Sequence, residues 1–419
     1  MLLGCIADDF TGATDLANTL TRRGMSTVVL LGVPRAGFTP PAADAAVIAL
    51  KSRSVPAAAA ITLSLASLDW LERAGARQYF FKYCSTFDST DDGNIDPVAE
   101  ALLARLGGNF TVACPAFPTN QRTIYQGYLF VGGQLLSESG MRHHPLNPMT
   151  DSLLTRVLQR QAKGKVGLIP CHVVEQGAGA IRGEMQELQV AGIRLAIVDA
   201  ITDEHLLAIG AACVGLKLVT GGSGLALGLP GNFRLQGLLK AALAGALPRI
   251  DGPAVVLAGS CSAATQRQVA AMQLSCESFA IDALALARGQ DVVPEVVAWA
   301  KPRLGGKPIL IYSTAAPQAV EQVQARLGRE RAGAMVEQAL GNVARELVAL
   351  GVRRLVVAGG ETAGAIVTAL GVEGLRIGAE IDPGVPWTAS LGDEPVALAL
   401  KSGNFGSDDF FLKAFRTLQ

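Results

Sequence analysis

The 419-residue sequence lacks an excess of either charge, 36 Lys and Arg balancing 36 Asp and Glu. Without surplus cation there is no sequence-wide pull on nucleic acid or anionic lipid, so neither a nucleic-acid nor a membrane partner is expected. Long apolar runs are also lacking. The nearest, Val55 to Leu68, is broken by Pro56, Thr62, Ser64 and Ser67, short of the roughly 18 uninterrupted residues of a membrane span. The opening MLLGCIADDF has no basic stretch and soon meets Asp8 and Asp9, unlike a secretory leader, so the expected location is the cytoplasm. Histidine is scarce, at four residues, and the seven cysteines are odd in number with no C-x-x-C pair. That pattern argues against a disulfide framework or a zinc site. Two nucleotide fingerprints are missing: there is no G-x-x-x-x-G-K-[ST], and no G-x-G-x-x-G follows the first predicted strand. A P-loop NTPase and a simple Rossmann dehydrogenase are thereby disfavoured.

Glycine, by contrast, is abundant at 47 residues, above the usual share of about 7%, with no repeating period, so the glycines mark turns. At about 150 residues per domain the length predicts two domains. Short apolar runs alternate with amphipathic stretches. Leu2 to Ile6 reads as a strand, Asp15 to Arg23 as a helix stopped by Gly24, and Thr27 to Leu31 as the next strand. Further strands are predicted at Ala45 to Leu50, Tyr79 to Tyr83, Phe110 to Ala113, Val166 to Ile169, Leu195 to Val198 and Leu216 to Thr220. A second alternation gives strands at Ala254 to Ala258, Pro308 to Ser313, Leu355 to Ala358 and Val396 to Leu400. Between these last strands, Ala334 to Leu350 is the clearest helix, with Val336, Ala339, Leu340, Val343, Leu347 and Leu350 on one face. The fold class is α/β: two lobes, each a mainly parallel sheet flanked by helices, with the active site in the cleft between them. The lobes are placed at 1–230 and 252–419, with a Gly- and Pro-containing linker of about 231–251.

In parallel α/β sheets ligands gather beyond the carboxyl ends of the strands, where helix N-termini offer free N–H groups. The first such turn, IADDFTGATD, places Asp8 and Asp9 directly after a strand. Asp is a preferred helix cap, and it is equally suited to take a proton from a hydroxyl or help hold a metal. In the second lobe three strand ends run into small-residue turns: Gly259-Ser260-Cys261-Ser262, Gly359-Gly360-Glu361-Thr362 and Lys401-Ser402-Gly403-Asn404. Each alone is weak, but three together could cradle a polyphosphate. Glu361 is either a first-turn acid or a ligand for Mg²⁺. Ser407 and Asp408 are placed to cap the last helix. In the first lobe Arg53, Lys82 and Arg122 follow strand ends and could meet an anionic substrate, an Arg fork matching a carboxylate. A polar loop from Glu138 to Asp151, with His143, His144, Asn147 and Asp151, could cover a small ligand.

These residues fall into a recognisable order. IADDFTGATD, KYCSTFDSTDDGNI, ACPAFPTNQRT, HPLNPMTDS, VVAGGETAGA, IDPGVPW and LALKSGNFGSDDFF together resemble the four-carbon acid sugar kinases, most closely their 3-oxo-tetronate kinase branch. The resemblance spans almost the whole chain. It implies a cytoplasmic enzyme that transfers the γ-phosphoryl of ATP to the terminal hydroxyl of a four-carbon sugar acid, with Mg²⁺ bridging the phosphates. The acid sugar would lie on the N-terminal lobe and the nucleotide on the C-terminal lobe. Carried over by position, nucleotide contacts fall on Ser260, Gly359, Gly360, Glu361, Thr362 and Gly403. Acid-sugar contacts fall on Asp8, Asp9, Arg53, Lys82, Ser85 and Arg122. Asp9 is the first choice for the base and Asp8 the second. Where many relatives have a glycine this chain has Asp96, and a side chain in a turn needing positive φ would be strained. The branch assignment rests mainly on KYCSTFDST.

Homo-oligomerisation is left open. Competing readings are a D-threonate or D-erythronate kinase, a sugar-acid binding protein without chemistry, and a sugar-acid dehydrogenase. The glycine turns favour a nucleotide-using enzyme over the second, and the missing fingerprint disfavours the third.

Overall fold

The computed structural model describes residues 1–35, 37–39, 42–143, 147–240, 245–313 and 329–418. The chain divides into two compact units, Met1–Ala244 and Gly245–Gln419. Among the described residues no helix is long and apolar enough to cross a membrane.

The first unit is built on eight parallel strands: β1 Leu3–Ala7, β2 Thr27–Leu31, β3 Ala45–Ala49, β4 Gln78–Lys82, β5 Thr111–Cys114, β9 Val166–Ile169, β10 Leu195–Val198 and β11 Leu218–Gly221. They lie in the order β2-β3-β1-β4-β11-β5-β10-β9. Helices cover both faces of such a sheet, so its strands are mainly apolar; β1 and β3 are buried at every position. The chain leaves β1 through the helix Phe10–Arg22 to the outlying β2 and returns to pair β3 with β1, while β4 pairs on the other side. The strand order therefore reverses at β1, and Ala7 sits level with Ala49 and Lys82. A crevice opens outside the carboxyl ends at such a reversal.

A three-stranded antiparallel meander interrupts the alternation: β6 Arg122–Tyr125, β7 Tyr128–Val131 and β8 Gln134–Leu135. Its first turn hangs on Asp199, whose carboxylate accepts the N–H groups of Gln126 at 2.7 Å and Gly127 at 2.9 Å. No strand is expected between Arg122 and Leu135 from the sequence, whose polar loop lies further on, from Glu138 to Asp151. The meander's strands are short and half exposed, and carry too little apolar surface to be seen by periodicity.

The second unit has β12 Ala254–Ala258, β13 Ser278–Ala280, β14 Ile309–Tyr312, β15 Arg354–Ala358, β16 Gly374–Asp382, β17 Val385–Ser390 and β18 Ala397–Lys401, in the order β13-β14-β12-β15-β18-β17-β16. The first five are parallel, and β17 runs antiparallel to both β18 and β16. Ala258, Ala358 and Lys401 stand level, so three strands end together. The core beneath gathers Val256, Val356, Trp387, Phe410 and Phe411, and the buried indole N–H of Trp387 donates to the Ala414 carbonyl at 2.9 Å. Strands β13, β16 and β17 were not expected from sequence. The clearest predicted helix is present as Arg329–Ala349, with Ala339, Leu340, Val343 and Leu347 buried, but Leu350 lies beyond its end and is exposed. The last helix, Phe410–Thr417, follows Asp409 and has no side-chain cap. Ser407 instead donates to Asp382, and Asp408 pairs with Arg267.

The strain expected at Asp96 does not arise. Asp96 occupies the first turn of the helix Ile95–Arg105, and the described non-glycine residues with positive φ are Phe87, Gln121 and Gln126. Its peculiarity is burial: it is 2% exposed and its Oδ2 has no hydrogen-bond partner. Desolvation, reinforced by Glu100, pushes its pKa up to about 7. An acid whose folded pKa is raised holds its proton more tightly in the native state. The protonated form therefore costs nothing at about pH 4, and stability is lost as pH rises toward 7. Asp96→Asn should raise Tm at pH 8 by several degrees, with the gain vanishing near pH 4. A pH-independent difference in thermal melts would remove the buried acid as its cause.

Candidate substrate and nucleotide sites

At the reversal point of the first unit, β1 ends in two carboxylates with different surroundings. The Asp8 backbone is locked between neighbours: its N–H donates to Lys82 O at 3.1 Å and its carbonyl accepts from Ser52 and Arg53 N–H at 2.9 and 3.2 Å. Its side chain, 5% exposed, takes a two-pronged bond from Arg53, Nε to Oδ2 at 2.8 Å and Nη2 to Oδ1 at 2.9 Å. Asp9 caps the helix Phe10–Arg22 by accepting the Gly12 N–H at 3.0 Å. It is more open, at 29%, and meets Arg53 Nη2 at 2.7 Å and Lys82 Nζ at 3.7 Å. Asp88 faces the far side of Arg53 at 3.8 Å. Asn94 clamps the turn carrying Arg53, donating to the carbonyls of Ser52 at 2.8 Å and Val55 at 3.0 Å.

The two acids titrate differently. Burial pushes Asp8 up, against the pull of Arg53. Burial acts on Asp9 too, but Lys82, Arg53 and the Gly12 N–H together hold it below the ordinary carboxylate range. Lys82 is fully enclosed, yet Asp9 and Asp8 outweigh its desolvation and keep it charged. Close packing here explains the glycine of IADDFTGA: a Cβ on Gly12 would strike the Lys82 amine and the Asp9 carboxylate.

Of the residues expected to contact an acid sugar, Asp8, Asp9, Arg53 and Lys82 come together. Ser85 is half-buried in the turn after β4, two residues before Phe87. Arg122 opens β6, bonded to the Asn120 carbonyl, and its buried Nε has no partner. No hydrogen bond or ion pair among the described residues joins it to the Asp8 cluster. In the polar loop, Asn147 reaches Ser54 at 3.3 Å and Asp151 pairs with Arg156 at 2.6 Å. His143 closes a short turn, and His144 lies outside the described residues. Asp88 and Asn94 were missed, although both lie in the segment KYCSTFDSTDDGNI.

In the second unit the three predicted turns converge. Gly259 and Ser260 both donate their N–H to the Ala358 carbonyl, at 3.0 and 3.1 Å, and Gly359 donates to Lys401 O at 3.0 Å. Gly359 is the cap residue of the helix Gly360–Ala369, whose first turn exposes Gly360 and Glu361 and buries Thr362. A Cβ on Gly403 would collide with Ser260 Oγ and lie 3.0 Å from Ser262 Oγ, so backbone and hydroxyls meet where only glycine fits. The Gly403 carbonyl accepts from Ser262 Oγ at 2.6 Å, Thr265 Oγ1 at 2.9 Å and Lys401 Nζ at 3.0 Å. Small turns at a helix N-terminus suit a phosphate chain. Glu361 is the exposed carboxylate beside them that could hold Mg²⁺. Four histidines and an odd set of cysteines without a C-x-x-C pair argue against zinc, yet the fold brings ligand atoms of Cys171, Glu175 and His205 within 4.8 Å of one another. Each already has a protein partner, Cys171 Sγ donating to Glu175 at 3.7 Å and His205 Nδ1 accepting from Ile201 N–H at 3.4 Å.

A unit with paired acids at a strand reversal, and a unit with a glycine and hydroxyl cradle at strand ends, define a two-domain α/β phosphotransferase. Family models match in the same arrangement, a sugar-binding N-terminal domain over residues 3–229 and a nucleotide-binding C-terminal domain over residues 255–411. The chain belongs to the four-carbon acid sugar kinase family. A relative from Burkholderia multivorans named 3-oxo-tetronate kinase is 59% identical, covering 100% of this chain and 97% of its own. One of the same name from Pseudomonas fluorescens is 58% identical with the same coverage. Among solved structures, Haemophilus influenzae protein HI1011 is 42% identical with a TM-score of 0.88, covering 99% of this chain and 100% of that one. A Salmonella typhimurium LT2 structure bearing a tRNA-synthase name is 44% identical with a TM-score of 0.92, covering 100% and 99%.

Filling the cradle should separate binding from folding. Gly403→Ala is expected to weaken Mg·ADP binding about tenfold or more by calorimetry, with Tm changed by only a few degrees. Unaltered affinity would show that nucleotide does not approach this turn.

Proposed function

We propose that this protein is an ATP-dependent kinase that phosphorylates the terminal hydroxyl of 3-oxo-tetronate, giving 3-oxo-tetronate 4-phosphate and ADP. The observation that carries the reading is the full-length likeness to relatives named 3-oxo-tetronate kinase, at 57% to 59% identity. The carboxylates at the reversal point supply the chemistry such a reaction needs. A cytoplasmic location suits an enzyme that consumes ATP.

Phosphoryl transfer depends mainly on positioning and charge neutralisation, and a carboxylate takes the hydroxyl proton as the bond forms. Asp9 takes that part, because it is ionised and more open than Asp8. Asp8 orients Arg53, which braces Asp9 in turn. This changes the expected part of Arg53: its fork is already engaged by Asp8, and so it does not serve as the receiver of the substrate's carboxylate. Three acids, Asp8, Asp9 and Asp88, surround the two cations Arg53 and Lys82, which leaves no spare positive charge for an acid. Arg122, with an unpartnered buried Nε, is the cation we assign to the substrate carboxylate. Ser85 and Lys82 are the further acid-sugar contacts. On the nucleotide side Ser260, Gly359, Gly360, Thr362 and Gly403 receive the phosphates, and Glu361 holds Mg²⁺, directly or through water. The ion, when bound, neutralises charge on the phosphate oxygens.

ADP release by a coupled assay across four-carbon acids tests the substrate. Turnover with 3-oxo-tetronate alone is expected; turnover with a threonate or erythronate would keep the kinase and change its acid, and silence across the panel would favour a binding protein. Asp9→Asn should lower kcat/KM by about 10²- to 10⁴-fold, and a loss of only a few fold would refute Asp9 as base. Arg122→Gln should raise KM for the acid far more than KM for ATP; equal changes would move the carboxylate elsewhere.

A further inference from the structure

We infer that Lys401 supplies a buried positive charge for the phosphates of the nucleotide, a binding residue set behind the cradle at the end of β18. The inference rests on reading the second unit as a nucleotide site. Lys401 is 1% exposed and among the largest fully buried side chains of the protein. Lysine is almost never buried to this degree without an acid partner. Yet its Nζ meets only neutral oxygens, Thr265 Oγ1 at 3.1 Å and the Gly403 carbonyl at 3.0 Å, and among the described residues no carboxylate pairs with it. Two of the three ammonium donors are thus used and the third is unspent. Lys82 provides the contrast within the same chain: equally buried, it stands beside Asp9.

A structural staple would be the alternative explanation. The Gly403 carbonyl does not need one, because Ser262 Oγ and Thr265 Oγ1 already donate to it at 2.6 and 2.9 Å. What the fold holds at this point is an uncompensated cation next to the turn where Ser260 and Gly403 converge. An arriving polyphosphate would bring the missing negative charge, and in a weakly screened interior the attraction acts without direct contact. Desolvation alone pushes the amine down to about 8, in keeping with a charge that no neighbouring group stabilises.

The test uses full-length protein carrying Lys401→Met, which keeps an unbranched chain of similar length, and Lys401→Gln as a second variant. Binding is measured by calorimetry with three probes: Mg·ADP, adenosine and tripolyphosphate. Thermal melts are taken without ligand. Affinity for Mg·ADP and tripolyphosphate should fall at least tenfold, adenosine should stay within about twofold, and the ligand-free Tm should hold or rise because an unpaired buried charge is gone. A parallel loss for adenosine and Mg·ADP would overturn the inference, as would a fall in Tm or a failure of both variants to fold, since each marks a staple. Unchanged Mg·ADP affinity in either variant would overturn it as well. Should wild-type protein bind tripolyphosphate through Lys401 but not Mg·ADP, the anion site would stand and the nucleotide reading would fall.

Discussion

Parallel strands paired in register end at a common level, and both sites of this protein are consequences of that constraint. In the first unit Ala7, Ala49 and Lys82 are level, so the residues just beyond them, Asp8, Asp9 and the turn bearing Arg53, have no choice but to meet. In the second, Ala258, Ala358 and Lys401 are level, and their turns meet in the same way. A one-residue slip in either set would move every side chain to the opposite face of the sheet and dissolve the site with it.

The same architecture is used for opposite electrostatic ends. The first unit arrives with its charges matched: Arg53 is forked onto Asp8, and Asp9 lies between Arg53 and Lys82. Removing either partner of the buried fork would strand the other at a cost of about 3–5 kcal/mol. That arrangement holds a carboxylate in one orientation at the expense of freedom to meet other ions. The cradle of the second unit is built instead from hydroxyls, backbone and an ammonium that has no carboxylate partner among the described residues.

Much of this was legible in the sequence, for identifiable reasons. Strands β2, β9, β10 and β12 run over the residues expected for them, because buried parallel strands are short apolar runs bounded by turn residues. The reversal-point carboxylates and the three glycine turns were legible because each follows such a run directly. The partners of those residues were not. Asp88, Asn94 and Thr265 reach their sites from neighbouring turns or another helix, and nothing in a linear pattern says which acid will fork with Arg53. The meander β6 to β8 escaped because its strands are short and half exposed, whereas β16 and β17 were masked by the glycines and charges within GLRIGAEID and by the proline in VPWTAS. The concern over Asp96 failed for a related reason: a glycine in relatives was read as a backbone demand, whereas the position is helical and the real demand is on a buried carboxyl.

The hold of two hydroxyls on the Gly403 carbonyl has a geometric corollary. In a trans peptide unit the carbonyl and the following N–H point in opposite directions. Pinning the oxygen with the Ser262 and Thr265 hydroxyls therefore resists flipping of the 403–404 plane and aims the Asn404 N–H away from those two groups. The exposed turn thus behaves at this peptide as rigid framework. Its donor is oriented before any ligand arrives, and the rotational entropy that a loose glycine turn would surrender on binding has already been removed during folding.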